Sequence, residues 1–259
     1  MSLSRKRCGW MSEYSMKVTI LGWWGAFPKG AQATCGVLVE TDEGKILIDC
    51  GSGVLSQLFC FASVPQLSAV LISHLHYDHM GDIGCLQYAV NNAMRTGKRA
   101  DKLPVYAPAT PKTMWDAIQY PYTVTTALQD GMSFEVAGAR ISVYKVQHTI
   151  ECYAFRVEKN GKSFVYFTDT VFLPEAGGFI DHADLLLCEA TISEGTRHST
   201  GLGHMTDLDA GRTAKLGNAR VLCLYHLPSD GNIPFMRERA YSQFGGPVFT
   251  PDLQREYFL

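Results

Sequence analysis

The stretch His74-Leu75-His76-Tyr77-Asp78-His79 decides the fold, because it places four metal-ligand side chains directly after the apolar run 69–73. Alternate side chains of an extended backbone point to the same side, so the first two histidines should face one way. The next two ligands fall where the chain turns toward a helical pattern. Zinc takes imidazole nitrogen and carboxylate oxygen at about 2.0 to 2.2 Å, with three or four protein ligands per ion. The stretch therefore predicts a metal site, since such a cluster would be costly to bury without a cation.

Three further ligand-type residues in the second half of the chain each follow a β-strand pattern directly. His148 follows residues 143–146, Asp169 follows residues 165–168, and His226 follows residues 221–225. One motif cannot complete two ions, because each ion needs three or four protein ligands. We therefore expect these strand ends to complete the site.

Apolar patterns predict strands and then helix in the first half of the chain, and the same order again in the second half. Strands are predicted at 17–21, 36–40, 45–49, 68–73, 104–107, 133–136, 140–146, 152–158, 162–167, 184–188 and 220–225, and helices at 82–92, 111–120 and 207–216. Asn160-Gly161 predicts a type I′ hairpin. The order favours an α/β fold with two sheets face to face and helices outside. We predict one domain over 16–259, preceded by a flexible tail or expression remnant over 1–15.

The amino-acid composition limits the kinds of binding partner that the protein is expected to have. The 23 Lys and Arg against 25 Asp and Glu give a net charge of -2, so nucleic-acid binding would need a local patch. The longest apolar runs are of strand length, far short of the roughly 20 residues that a membrane span needs. The eight cysteines form no CxxC pair, and the opening stretch lacks the apolar segment of a secretory signal. Together these features predict a cytoplasmic protein that has no membrane partner.

The HxHxDH pattern with its downstream His, Asp and His resembles the metallo-β-lactamase superfamily, over about residues 17–228. The resemblance implies a four-layer αββα sandwich of two mixed β-sheets flanked by helices. It also implies two divalent ions, for which zinc is favoured and manganese or iron are alternatives. By the family pattern the first ion is held by His74, His76 and His148, the second by Asp78, His79 and His226, and Asp169 bridges them. β-Lactamases commonly have Cys at the position of Asp169, so antibiotic hydrolysis is not expected.

Two stretches, Leu-Cys-Glu-Ala-Thr at 187–191 and Gly-His-Met-Thr at 203–206, are similar to tRNase Z and related phosphodiesterases. The resemblance implies that Glu189 and His204 pair to assist the leaving oxygen or bind the phosphate. It also implies that Asp78 helps to orient a hydroxide that bridges the metals. His148 and Asp169 are only 21 residues apart, so the tRNA-gripping arm of bacterial tRNase Z cannot fit between them. The predicted substrate is therefore a small phosphodiester, such as a cyclic nucleotide or cyclic phosphate.

Other residues are weaker candidates. In this fold the loop after the first strand borders the active site, so Trp23, Trp24 and Phe27 could stack on substrate, with core packing as the alternative. His198 lies in a Gly/Ser/Thr-rich loop and could contact substrate, and Asp49 is expected to orient the metal ligands.

Three alternative functions remain open from the sequence. They are hydrolysis of a carboxyl ester, lactone or thioester, processing of tRNA 3′ ends, and non-catalytic metal binding. The sequence also leaves a homodimer open.

Overall fold

The structure, a computed structural model, describes residues 14–193, 203–252 and 255–259. Within them the chain forms two seven-stranded β-sheets.

The first sheet is built mainly from the N-terminal half of the chain. In spatial order it contains β14 (Glu256–Phe258), β1 (Lys17–Gly22), β2 (Gly36–Glu40), β3 (Lys45–Ile48), β4 (Leu67–Leu71), β5 (Leu103–Ala107) and β6 (Thr123–Ala127). The pairs from β14 to β3 are antiparallel, and those from β3 to β6 are parallel. This sheet is therefore mixed.

The second sheet repeats this arrangement, with antiparallel pairs first and parallel pairs later along the chain. In spatial order it contains β13 (Val248–Phe249), β12 (Leu222–Tyr225), β11 (Leu185–Glu189), β10 (Lys162–Phe167), β9 (Cys152–Lys159), β8 (Ala139–Val146) and β7 (Ser133–Val136). The pairs from β7 to β10 are antiparallel, and those from β10 to β13 are parallel. The second sheet is therefore mixed as well.

Helices cover the outer faces of both sheets. They are α1 (Val54–Leu58), α2 (Tyr77–Met80), α3 (Ile83–Arg95), α4 (Lys112–Ala117), α5 (Gly177–Ile180), α6 (Asp207–Leu216) and α7 (Ile233–Phe244). Side-chain alternation explains the layers, since Val37 and Val39 of β2 pack into the core between the sheets. Leu38, between them, packs on the other face with residues of α1 and α3. The predicted αββα sandwich is confirmed.

Most predicted elements are present within a few residues of their expected bounds. Asn160 and Gly161 have φ values of 50° and 75°, which a type I′ hairpin requires, so that prediction is confirmed. The helix predicted at 111–120 is shorter than expected. The elements that were not predicted are strands β6, β13 and β14 and helices α1, α2, α5 and α7. Among the described residues no helix is both long and apolar enough to cross a membrane.

Candidate metal centre

The seven predicted ligands meet at one end of the sandwich, because each follows a strand whose end points there. His74 to His79 follow β4 of the first sheet, with Asp78 and His79 on the short helix α2. His148, Asp169 and His226 follow β8, β10 and β12 of the second sheet. Both sheets therefore contribute side chains to one cluster.

A first group of side chains contains three histidines. His74 Nε2 lies 2.9 Å from His76 Nδ1, and His148 Nε2 lies 3.2 Å from the same nitrogen. Asp169 Oδ2 lies 3.7 Å from His74 Nε2 and 3.9 Å from His148 Nε2. Three ring nitrogens and one carboxylate oxygen thus converge, a donor set that suits a divalent transition metal.

A second group lies on the other side of Asp169. Its Oδ2 atom is 3.5 Å from His79 Nε2 and 3.3 Å from His226 Nε2. Asp78 Oδ2 is 3.1 Å from His226 Nε2 and 3.7 Å from His79 Nε2. One oxygen of Asp169 therefore lies between the two groups, where it could be shared by two ions.

Two of the histidines form hydrogen bonds through Nδ1, and these bonds direct their Nε2 atoms toward Asp169 Oδ2. His148 Nδ1 lies 2.8 Å from the carbonyl oxygen of Gly203, to which it can only donate. His79 Nδ1 lies 2.7 Å from Asp49 Oδ2, which also accepts bonds from the Tyr166 hydroxyl at 2.6 Å and the Ser73 hydroxyl at 2.8 Å. A proton on Nδ1 leaves the Nε2 lone pair free for a cation. Asp49 thus lies where the sequence predicted a carboxylate that orients ligands.

Two buried atoms of the cluster lack a hydrogen-bond partner within the described residues. They are His79 Nε2 and Asp169 Oδ1. Uncompensated buried polar atoms are costly, and a bound cation would satisfy the histidine nitrogen. The residues present therefore fit a metal site.

The electrostatics of the cluster agree with this fit. Burial, with the nearby His79, holds the pKa of His74 well below its usual value, which keeps the ring neutral. Burial alone would raise the pKa of Asp169, but His226 and His79 hold it well below its usual range. Burial lowers the pKa of His79, but Cys35, Asp169 and Asp49 together raise it well above normal. A cation at His79 would take the place of that proton, so its binding would be weaker in acid.

Glu189 and His204 form a pair beside the cluster. His204 Nδ1 lies 3.0 Å from Glu189 Oε1 and 3.8 Å from Asp169 Oδ2. Burial lowers the pKa of His204, but the hydrogen bond and the charge of Glu189 outweigh this effect and raise the pKa to about 9. The structure thus brings together the two residues that the sequence comparison linked.

The backbone approaches the site closely through left-handed conformations. Ala26 has φ 61° and donates its N–H to Asp78 Oδ2 at 2.9 Å, while Asp49 and His226 have φ values of 57° and 51°. A Cβ atom at Gly25 would lie 2.6 Å from His226 Nδ1, so this position needs glycine. Non-glycine residues in this region of φ are strained, and such strain is concentrated at functional sites.

The aromatic residues of the first loop differ in exposure. Trp23 and Trp24 are 3% and 6% exposed and belong to the core between the sheets. Arg255 lies over the ring of Trp23 at 4.7 Å, and Lys29 lies over that of Trp24 at 4.2 Å. The two rings therefore offer little exposed surface to a substrate, and their stacking role stays a prediction. Phe27, at 60% exposed, is accessible.

Two further residues near the motif and the substrate loop need comment. Tyr77, next to Asp78 in the motif, has no predicted role, and its side chain is 71% exposed. His198 lies outside the described residues.

Several residues that form hydrogen bonds with the candidate ligands or with the residues around them were not identified from the sequence. Tyr166 bonds Asp49 from the opposite sheet, and the Tyr225 hydroxyl accepts the N–H of Gly36 at 2.7 Å. Thr191 Oγ1 lies 2.6 Å from His226 Nδ1. Thr191 belongs to the Leu-Cys-Glu-Ala-Thr stretch that is similar to tRNase Z, but the stretch does not indicate its contact with His226.

A two-sheet αββα sandwich with a histidine and aspartate cluster at its strand ends is the metallo-β-lactamase fold. Residues 44–227 match the sequence profile of the β-lactamase superfamily domain. The "Probable metallo-hydrolase YhfI" of Bacillus subtilis is 36% identical over 234 residues, which cover 90% of this chain and 96% of that protein. The chain therefore belongs to the β-lactamase superfamily.

Solved structures and a further relative agree with this assignment. The crystal structure of YhfI from Bacillus subtilis, a metallo-β-lactamase fold protein, has a TM-score of 0.86 and 35% identity, covering 91% of this chain and 96% of that chain. The ribonuclease Z of Clostridioides difficile is 25% identical over 296 residues, covering 91% of this chain and 96% of that protein. A diphosphatase of the PhnP family shares the fold, with a TM-score of 0.72, 19% identity, and coverage of 91% and 93%.

Proposed function

We propose that this protein is a metal-dependent phosphodiesterase that binds two divalent ions and hydrolyses a small phosphodiester, such as a cyclic nucleotide or cyclic phosphate. The observation that carries the proposal is the Glu189–His204 pair, whose ring nitrogen lies within 3.8 Å of Asp169 Oδ2. A histidine that is held protonated beside a two-ion site suits a reaction in which an alkoxide leaves phosphorus.

The ligand set proposed for each ion follows the two groups of side chains. His74, His76 and His148 would hold one ion, Asp78, His79 and His226 the other, and Asp169 would contact both. Zinc is favoured by the mixture of imidazole and carboxylate donors, and manganese or iron also accept these donors. When bound, such ions supply Lewis-acid chemistry, lowering the pKa of water and neutralising charge on phosphate oxygens.

The chain's own residues would orient water and move the proton. Asp78 Oδ2 and Asp169 Oδ2 both lie within 3.3 Å of His226 Nε2, so their carboxylates face one space and can accept hydrogen bonds from an attacking water. Glu189 holds His204 at Nδ1, which leaves Nε2 to donate a proton. We assign to that Nε2–H the protonation of the leaving oxygen, or a hydrogen bond to the phosphate.

The preference for a small substrate rests on the segment between His148 and Asp169. It is the β9–β10 hairpin, whose strands begin and end beside the cluster. Its turn at Asn160 and Gly161 therefore lies at the far end of these strands, away from the site. The segment has no additional domain that could hold a large RNA, which argues against tRNA as the main substrate even though one relative is a ribonuclease Z.

A substrate panel with metal analysis tests the proposal. The panel contains bis-p-nitrophenyl phosphate, 2′,3′- and 3′,5′-cyclic nucleotides, a lactone and a thioester. We expect turnover of the phosphodiesters by protein that carries about two equivalents of metal. Turnover of the lactone or thioester alone would replace phosphodiester hydrolysis with the carboxyl-ester alternative. Full activity with one tightly bound ion would refute the two-ion site.

A further inference from the structure

Thr191 connects the two parts of the site that the proposed function treats separately. Its hydroxyl oxygen lies 2.7 Å from Glu189 Oε2 and 2.6 Å from His226 Nδ1. Glu189 is the partner of His204, whereas His226 belongs to the second group of metal ligands. One hydroxyl therefore contacts both the proton-donating pair and a proposed ligand.

The direction of these two hydrogen bonds follows from counting donors. Glu189 is fully buried, and its oxygens accept N–H bonds from Thr170 at 2.9 Å, Met205 at 3.1 Å and Thr191 at 3.0 Å. A carboxylate in this setting is an acceptor, so the hydroxyl of Thr191 must be the donor. The competing acceptor for that proton, the carbonyl oxygen of His226, is uncharged and farther away at 3.2 Å. The hydroxyl therefore donates its proton to the Glu189 carboxylate, which is charged and closer.

The single hydroxyl proton then determines which nitrogen of His226 is protonated. With its proton on Glu189, Thr191 Oγ1 offers only lone pairs to His226 Nδ1, which must donate. In the neutral ring Nε2 then lacks a proton and faces Asp78 Oδ2 at 3.1 Å and Asp169 Oδ2 at 3.3 Å. In the other tautomer Nε2–H would bond these carboxylates and block a cation. That tautomer would also turn the hydroxyl away from Glu189, leaving two oxygens 2.7 Å apart with no proton between them.

We propose that Thr191 is a positioning residue that holds His226 in the Nδ1–H tautomer and so couples the Glu189–His204 pair to cation binding at the second group. The inference rests on the proposed metal site and adds to it a residue that touches neither cation nor substrate. Glu189 thereby has two side-chain partners, His204 through Oε1 and Thr191 through Oε2.

Three variants test the role of the hydroxyl. Thr191→Val removes it at nearly constant volume, and Thr191→Ser restores it. Thr19→Val is the control, because Thr19 is buried in strand β1 and its hydroxyl has no hydrogen-bond partner in the described residues. Each metal-loaded protein is titrated with a chelator, and the retained metal is measured. We expect Thr191→Val to bind one of its two ions about 10- to 100-fold more weakly, with Thr191→Ser and Thr19→Val close to wild type.

Several results would overturn the inference. If Thr191→Val keeps both ions as tightly as wild type, or if Thr191→Ser is as weak as Thr191→Val, the hydroxyl has no such role. Imidazole ¹⁵N chemical shifts of the metal-loaded wild type give a second measurement that needs no folded variant. We expect His226 to be protonated at Nδ1, and protonation at Nε2 would refute the inference. A wild-type protein that never binds a second ion would refute the proposed function itself, so the two failures are distinguishable.

Discussion

Replacing His204 by alanine gives the sharpest test of how the leaving group departs. The rise in the pKa of His204 from 6.5 to about 9 corresponds to about 3 kcal/mol in favour of the protonated ring. At pH 7 about 99% of the rings would therefore carry the proton that an alkoxide needs. General acid catalysis contributes about 10² to 10⁴ in rate, so His204→Ala should slow an alkyl phosphodiester by that factor. A p-nitrophenyl ester should be affected far less, because its leaving group needs little protonation.

The assay compares kcat for the two substrates across pH, in wild type and variant. For the alkyl substrate the wild-type rate should fall as the pH rises through the pKa of His204, and this alkaline limb should be absent in the variant. His182→Ala serves as the control, since His182 is an exposed histidine that pairs with Asp181. Metal content should be unchanged in both variants.

Two outcomes would refute the reasoning. Equal slowing of both substrates would leave His204 a phosphate-binding residue without a role in proton donation. Loss of metal from His204→Ala would show that this histidine is a ligand and that the ligand set has been assigned wrongly.

Three other predictions follow from the cluster. Asp169→Ala should retain less than two equivalents of metal by elemental analysis and lose most activity, because Oδ2 of Asp169 lies within 3.9 Å of ring nitrogens of four proposed ligand histidines. A variant that keeps two tight ions would contradict the shared role. Asp49→Asn should weaken metal binding about 10- to 100-fold in chelator competition, because it disturbs the hydrogen bond that orients His79. Asp42→Asn, at an exposed surface carboxylate, is the control and should leave metal binding unchanged. Turnover of pre-tRNA should be poor in a gel-based cleavage assay, and efficient cleavage at the 3′ end without an added partner would restore tRNA processing.

The sequence predicted the convergence of the seven candidate ligands because their signal is local. Ligand-type residues after a β-strand pattern can be recognised without knowledge of the rest of the fold, and the structure brings all seven together. Contacts between distant segments were not predictable in this way. Thr191 and His226 are 35 positions apart, and Tyr166 and Asp49 are 117 apart, so nothing in either local pattern indicates the contact.

The elements that were missed have weak local patterns. Strand β6 is Thr-Val-Thr-Thr-Ala at the edge of its sheet, and only Thr123 is buried, so it lacks the apolar alternation of an inner strand. Helix α7 contains Arg-Glu-Arg and buries only Met236 and Ala240. The environment of Trp23 and Trp24 was equally unpredictable from the sequence. The cations that lie over their rings, Arg255 and Lys29, are identified only by the tertiary fold.

Each proposed ion would draw its ligands from both sheets. Four of the candidate ligands follow β4 in the first sheet, and three follow strands of the second. Unfolding separates the sheets and must therefore release the ions, so a ligand that binds only the folded state adds about 2.7 kcal/mol at 100 times its Kd. The melting temperature should consequently rise with free metal concentration. Heat resistance would then depend on the metal supply of the surroundings as well as on the packing of the core.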